Sequence, residues 1–202
     1  MIQLPQKIVM ASGNAGKIRE IARLLDGLGI DVVAQSEFGI DEAIESGSTF
    51  AENSLIKAKH AASASGLPAI ADDSGLAVDA LEGAPGVYSA RYSGVSATDD
   101  KNIDKMLREM RAIGAGSRGA AFHCVATFVM PDESPPLVAK GEWRGSILEA
   151  RQGSGGFGYD PIFLDPESGL SAAELSATQK NARSHRGKAL LELVALLDQR
   201  FS

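Results

Sequence analysis

Ile18, Ile21, Leu24, Leu25 and Leu28 recur at the spacing of one helix face, and Gly29 ends that helix before a short apolar run at residues 30–34. Ahead of it, Ile8-Val9-Met10-Ala11 is an unbroken apolar run, so the pattern predicts a β-α-β opening. Residues 35–48 are polar and acidic, without a clear period. Thr49-Phe50-Ala51-Glu52 then has the Thr-x-x-Glu form in which side chain and backbone cap a helix start reciprocally. That helix should run to about Ser65, where Gly66 and Pro68 stop it. Ala69-Ile70-Ala71 and Leu76-Ala77-Val78 read as short strands flanking a turn at Asp72-Asp73-Ser74-Gly75, and residues 82–95, with Gly83, Pro85, Gly86 and Gly94, read as a loop. Ile103, Met106, Leu107, Met110 and Ile113 mark another amphipathic helix, whose acidic first turn, Asp99-Asp100, suits the helix dipole.

Further along, Phe122, Cys124, Ala126 and Phe128 alternate with His123, Val125, Thr127 and Val129, the period of a strand. Residues 131–136 make a turn and Leu137 to Trp143 returns, predicting a hairpin. A glycine-rich stretch at 153–158 and a loop region to about Lys180 precede a last helix from Ser184, with Leu190, Val194, Leu197 and Phe201 toward the core. Strands interleaved with helices, plus a hairpin, predict a mixed-sheet α/β fold.

At 202 residues, 44% hydrophobic and 23% charged, the chain suits one compact unit with a substantial core. A net charge of −6 without any Lys/Arg-rich stretch excludes a protein that coats nucleic acid, so a polyanionic ligand must be met by a few aimed cations, amides or a metal. No apolar run approaches the roughly 20 residues that span a bilayer, and the first residues lack the apolar stretch of a signal peptide; the expectation is a cytoplasmic protein with no membrane partner. Cys124 is the single cysteine and reads as a small buried strand residue.

Four segments could carry chemistry. Ser12-Gly13-Asn14-Ala15-Gly16-Lys17 joins a strand to a helix start, where unpaired N–H groups, the positive dipole end and Lys17 would favour an anion; it lacks the spacing and hydroxyl of a Walker A loop, and alone it reads equally as a plain turn. Asp72-Asp73 sets two carboxylates side by side after an apolar strand, either capping a turn or supplying a catalytic acid and a hard-cation ligand, to which Glu45 and Glu52 could add. Gly153 to Gly158 formally fits G-x-G-x-x-G, but Tyr159-Asp160-Pro161 follows where a dinucleotide-binding helix should open. It reads instead as a loop presenting Phe157 to a flat partner such as a nucleobase, or as a surface loop. The cations from Lys180 to Lys188 gather where the last helix begins, unfavourably unless an anion lies among them. His60 and His123 read as structural.

Together these segments resemble the inosine triphosphate pyrophosphatase family in its bacterial form. The resemblance rests on Ser-Gly-Asn-Ala-Gly-Lys at 12–17, Thr-Phe-Ala-Glu-Asn at 49–53 with Lys57, Ala-Asp-Asp-Ser-Gly-Leu at 71–76, Gly-Ala-Pro-Gly-Val-Tyr-Ser-Ala-Arg-Tyr at 83–92, Gly-Gly-Phe-Gly-Tyr-Asp-Pro at 155–161 and Ser-His-Arg-Gly at 184–187. It implies a single domain over residues 1–202, an α/β fold with a mixed twisted β-sheet flanked by helices, and two lobes with the active-site cleft between them. It implies hydrolysis of non-canonical purine nucleoside triphosphates to monophosphate and pyrophosphate, with Mg²⁺ as cofactor and a homodimeric assembly. On this resemblance Ser12, Gly13, Asn14, Ala15, Gly16 and Lys17 would cradle the triphosphate, with Lys57 and Lys180 reaching its oxygens. Glu45 and Asp73 would hold magnesium, Asp73 would be the catalytic base, and Ser74 would contact substrate. Phe157, Gly158, Tyr159 and Asp160 would stack on and border the purine, and His185 and Arg186 would read its edge. Where the family often carries Glu-Glu before the Thr-Phe motif, this chain has Ile44-Glu45.

Overall fold

The computed structural model describes residues 5–26, 29–113, 116–132 and 134–201; Leu28, the first four residues, Glu133 of the expected turn and the side chains of Ala15 and Leu24 lie outside that description. Six strands form one mixed sheet in the order β2-β1-β3-β4-β5-β6. They are β1 (Lys7–Met10), β2 (Asp31–Ala34), β3 (Ala69–Val78), β4 (Gly119–Val129), β5 (Leu137–Ile147) and β6 (Phe163–Leu164). β1 runs parallel to both of its neighbours, β2 and β3, whereas β6 closes the far edge antiparallel to β5. The helices are α1 (Ala15–Asp26), α2 (Phe50–Ser65), α3 (Asp99–Ile113), α4 (Ala177–Arg183) and α5 (His185–Phe201).

The chain divides into two compact units, one made of Met1–Asp73, Cys124–Gly141 and Lys188–Ser202, the other of Ser74–His123 and Glu142–Gly187. In the first, strand alternation sorts the core into two layers. Ile8 and Met10 of β1, Ile70 of β3 and Phe128 of β4 pack with Ile21 of α1 and Leu193 of α5, while Val9, Ala69 and Ala71 face the alanines 58, 61 and 62 of α2. Those small side chains let α2 lie close to the sheet, where Ser54 Oγ meets Thr127 Oγ1 at 2.6 Å. The Thr49 cap forms as expected: Glu52 N–H donates to Thr49 Oγ1 at 3.2 Å, Thr49 N–H donates to Glu52 at 3.1 Å, and Gly66 ends the helix at φ 69°. Glu52 also accepts from Ser48, so its carboxylate serves the helix start.

The second unit has its own core, with Leu76 and Val78 of β3, Met106 and Met110 of α3, Phe122 of β4, Trp143 of β5 and Phe163 of β6. Two expectations need correction. Asp72-Asp73-Ser74-Gly75 is not a turn between short strands but the middle of one ten-residue strand, β3. The turn-forming residue types are overridden by strand pairing on both sides. The region before Lys180 also contains α4, started by a Ser176–Gln179 capping box.

Candidate active site

A strand's side chains alternate between faces, so the continuity of β3 sends its two neighbouring carboxylates opposite ways. Asp72, fully buried, shares the face of Ile70 and receives Lys17 of α1, Nζ to Oδ2 at 2.9 Å. Asp73 shares the face of Ala69 and Ala71 and meets α2, where Lys57 Nζ donates to Oδ1 at 3.0 Å and Asn53 Nδ2 to Oδ2 at 3.3 Å. The same Lys57 ammonium donates to Glu45 Oε1 at 2.8 Å, so one cation gathers two carboxylates. Ser74, the next residue on β3, is half-buried.

These groups are little exposed, and their electrostatics follow from that. Burial pushes the Asp73 carboxyl above its ordinary value, with the negative charge of Glu45 adding to the effect and the Lys57 charge opposing it. For Lys57, burial works against the charged form, but Asp73, Glu45 and Asp72 outweigh it and hold the ammonium above its ordinary value. A carboxylate with a raised affinity for protons is a stronger base.

The turn at 12–17 is held by its own side chains. Asn14 Oδ1 accepts from the N–H groups of Gly16 and Lys17 at 2.8 and 3.2 Å, capping α1, and Ser12 Oγ accepts from Asn14 N–H at 3.1 Å. The helix starts at Ala15, so Lys17 falls in its first turn. A β-carbon on Gly13 would lie 2.6 Å from Glu42 Oε1; glycine there lets the acidic segment pass the turn.

The second unit holds the other expected residues. Phe157, 40% exposed, stands on the glycine loop with the Lys180 ammonium 4.8 Å and the Arg186 guanidinium 5.4 Å from its ring centroid. Asp160 is buried and accepts from Phe157 N–H at 2.8 Å while ion-pairing Lys180, so one carboxylate fixes both the loop and the cation. Gly156 and Gly158 take φ of 74° and 58°, the left-handed backbone that bends this loop. Gly158 N–H donates to Asp99 at 2.7 Å. Tyr159 belongs to the core, its hydroxyl donating to the Ser89 carbonyl at 2.8 Å. His185 and Arg186 are both buried at the start of α5, His185 lying flat on Phe122 with ring centroids 4.7 Å apart and planes at 11°.

The sequence pattern of the Ham1 family matches residues 8–196. The chain belongs to the Ham1 family. This bears out the resemblance carried by the motifs, since its Ham1 relatives include proteins named dITP/XTP pyrophosphatase. The chain is 55% identical to that of Pectobacterium atrosepticum over 193 residues, 95% of this chain and 98% of the relative, and 55% identical to that of Escherichia coli K12 with the same coverage. Among solved structures, a HAM1 protein from Coxiella burnetii superposes with a TM-score of 0.90 at 47% identity, covering 96% of this chain and 98% of that one. The Ham1 protein of Staphylococcus aureus gives 0.87 at 40%, covering 96% and 99%.

In this Ham1 chain the donor set suits a hard cation. Among the described residues no group of three or more His, Cys, Asp or Glu side chains converges, but Glu45 and Asp73 meet at one ammonium, as positive charge between them requires. Magnesium takes oxygen ligands and needs only one or two carboxylates when substrate phosphates and water complete its shell, so the pair fits. Among the described residues no helix is long and apolar enough to cross a membrane.

Two groups escape a reading by motif alone. Asn53, the last residue of the Thr-Phe-Ala-Glu-Asn segment, is buried and bridges Gly47 N–H, at 2.8 Å, to Asp73, tying the acidic segment to the carboxylate. An asparagine inside a helix is unfavourable by propensity, and that misfit was the available signal. Arg183, one of the cations gathered before α5, lies 3.5 Å from the buried Asp165. No local pattern announces that pair.

Proposed function

We propose that this chain hydrolyses ITP, dITP and XTP to the nucleoside monophosphate and pyrophosphate, clearing non-canonical purines from the nucleotide pool. The observation that carries the reading is the convergence of Asp73 and Glu45 on Lys57. A protein that only held a nucleotide would gain nothing from carboxylates set against phosphates.

Water attacks the α-phosphorus, the bond from that phosphorus to the bridging oxygen breaks, and pyrophosphate leaves. Asp73 orients the water and takes its proton. Glu45 and Asp73 would hold Mg²⁺, which when bound neutralises charge on phosphate oxygens. Lys17 and Lys57 stabilise the negative charge that grows on the leaving pyrophosphate, with the residue 12–17 turn around the phosphates and Ser74 beside them. Such electrostatic stabilisation needs no nucleophilic side chain.

Phe157 offers its exposed face to the purine, and Gly158 to Asp160 border it. Lys180, whose ammonium pairs with Asp160 and stands over Phe157, reaches the triphosphate oxygens from beside the base. His185 and Arg186 donate to the 6-oxo group of hypoxanthine or xanthine. Adenine's 6-amino group, itself a donor, would oppose those donors, at a cost of about 1–3 kcal/mol for each hydrogen bond lost. The enzyme acts as a single domain, as a homodimer and in the cytoplasm.

Hydrolysis of ITP in ¹⁸O-water tests this reading. The label should enter the monophosphate alone, with pyrophosphate unlabelled; label in orthophosphate or pyrophosphate would refute attack at the α-phosphorus.

A further inference from the structure

Asp165 is a buried carboxylate, its side chain 2% exposed, that the proposed reaction does not use. It lies outside every motif of the family resemblance. Its Oδ1 accepts from the indole N–H of Trp143 at 2.9 Å, its Oδ2 accepts from Ser168 N–H at 3.0 Å, and Arg183 Nε approaches to 3.5 Å. A buried charge is tolerated only where its partners are well placed: the two hydrogen bonds fix the carboxylate, and Arg183, whose Nε also lies 3.6 Å from Glu167, adds its charge.

Both ends of that arrangement lead to the start of α5. Through Arg183 it pins the end of α4, and only Ser184 separates Arg183 from His185. Through Trp143 it orients an aromatic stack. The indole backs Phe122 at 6.2 Å with planes at 29°, and Phe122 carries the His185 ring at 4.7 Å. Phe163 wedges against both, 4.5 Å from Phe122 and 5.0 Å from Trp143. Aromatic packing alone leaves a ring able to slide and rotate, whereas a hydrogen bond from the indole N–H to a fixed carboxylate removes that freedom.

The geometry points to Asp165 as a positioning residue for base recognition, setting His185 through the Trp143–Phe122 stack and the start of α5 through Arg183. The inference rests on the reading that His185 and Arg186 face the purine edge. Asp165 touches no substrate; it holds the donors within the narrow angular range in which a 6-oxo group is accepted and a 6-amino group refused.

Trp143 is the chain's single tryptophan, so its emission reports on this network directly. The test measures kcat/KM for ITP and for ATP, with emission spectra, in wild type, Asp165→Ala, Asp165→Asn and Trp143→Phe. Asp165→Ala should shift the Trp143 emission and lower the ITP-to-ATP ratio about tenfold, the size of one misaligned hydrogen bond, with kcat/KM for ATP unchanged. Asp165→Asn, which retains an acceptor for the indole, should recover part of both effects. Trp143→Phe keeps the Arg183 pair and the ring, and should lower the ratio less; it serves if the alanine variant fails to fold. A folded Asp165→Ala with an unchanged ratio, or equal losses for ITP and ATP, overturns the proposal. Arg186→Ala separates the two failures. If it lowers the ratio while Asp165→Ala does not, base reading stands and positioning falls; if Arg186→Ala leaves the ratio unchanged, both fall.

Discussion

Lys57 Nζ lies 3.0 Å from Asp73 Oδ1, and the same ammonium lies 2.8 Å from Glu45. The lysine therefore holds the proposed base and a second carboxylate together. Asp73→Asn keeps the size of the side chain and its contact with Asn53 but cannot take a proton. Turnover of ITP should fall by about 10²–10⁴ with the circular dichroism spectrum unchanged. A fully active variant would remove Asp73 from the role of base.

Lys57→Met leaves Asp73 and Glu45 facing each other with little solvent, at 11% and 28% side-chain exposure. Breaking a buried pair from one side costs about 3 kcal/mol or more, so the metal-free variant should melt several degrees below wild type. Added Mg²⁺ supplies the missing positive charge and should restore much of the difference. Calorimetry with and without the ion checks this; a variant as stable as wild type and indifferent to magnesium contradicts the placement of the two carboxylates.

Gly187 donates its N–H to Ser184 Oγ at 3.1 Å in the first turn of α5, and a β-carbon there would overlap the Asn181 carbonyl. Gly187→Ala must therefore push α4 and α5 apart just where His185 and Arg186 begin. It should destabilise by about 1–3 kcal/mol and raise KM for ITP more than it lowers kcat. Urea unfolding and steady-state kinetics measure the two; an alanine variant with wild-type stability would refute the close approach.

Burial pushes the Asp165 carboxyl upward, but donation from Trp143 and Ser168 and the charge of Arg183 outweigh it and hold the group below its ordinary value of 3.8. A carboxyl with a lowered value in the folded state contributes stability that is present above 3.8 and is lost as pH falls through the lowered value. The melting temperature of wild type should exceed that of Asp165→Asn at neutral pH, and the gap should close as pH drops below 3.8. A pH-independent gap would show that the charge on Asp165 contributes nothing.

Much of this is legible in the sequence because it is local. The β-α-β opening, the Thr49 cap, α3 and the inward face of α5 all follow from period and end signals within a few residues. Asp72-Asp73 was misread as a turn because four turn-forming residues in a row outweigh strand pairing when only neighbours are visible. Within each unit the pairings join residues far apart in the chain: Lys17 with Asp72 and Asn53 with Asp73 in the first, Lys180 with Asp160 in the second. The cluster of cations near α5 looked unfavourable because its counter-charges, Asp160 and Asp165, stand some twenty residues upstream. Motif order could identify the family, while the partner of each charge emerges only from the fold.

The central claim is that this chain removes non-canonical purine triphosphates as monophosphate and pyrophosphate. Its most direct test offers ITP, XTP, dITP, ATP and GTP separately with Mg²⁺ and resolves pyrophosphate from orthophosphate among the products. Pyrophosphate release with ITP, XTP and dITP strongly preferred over ATP and GTP is the expected result; orthophosphate release, or equal use of ATP and GTP, would contradict it.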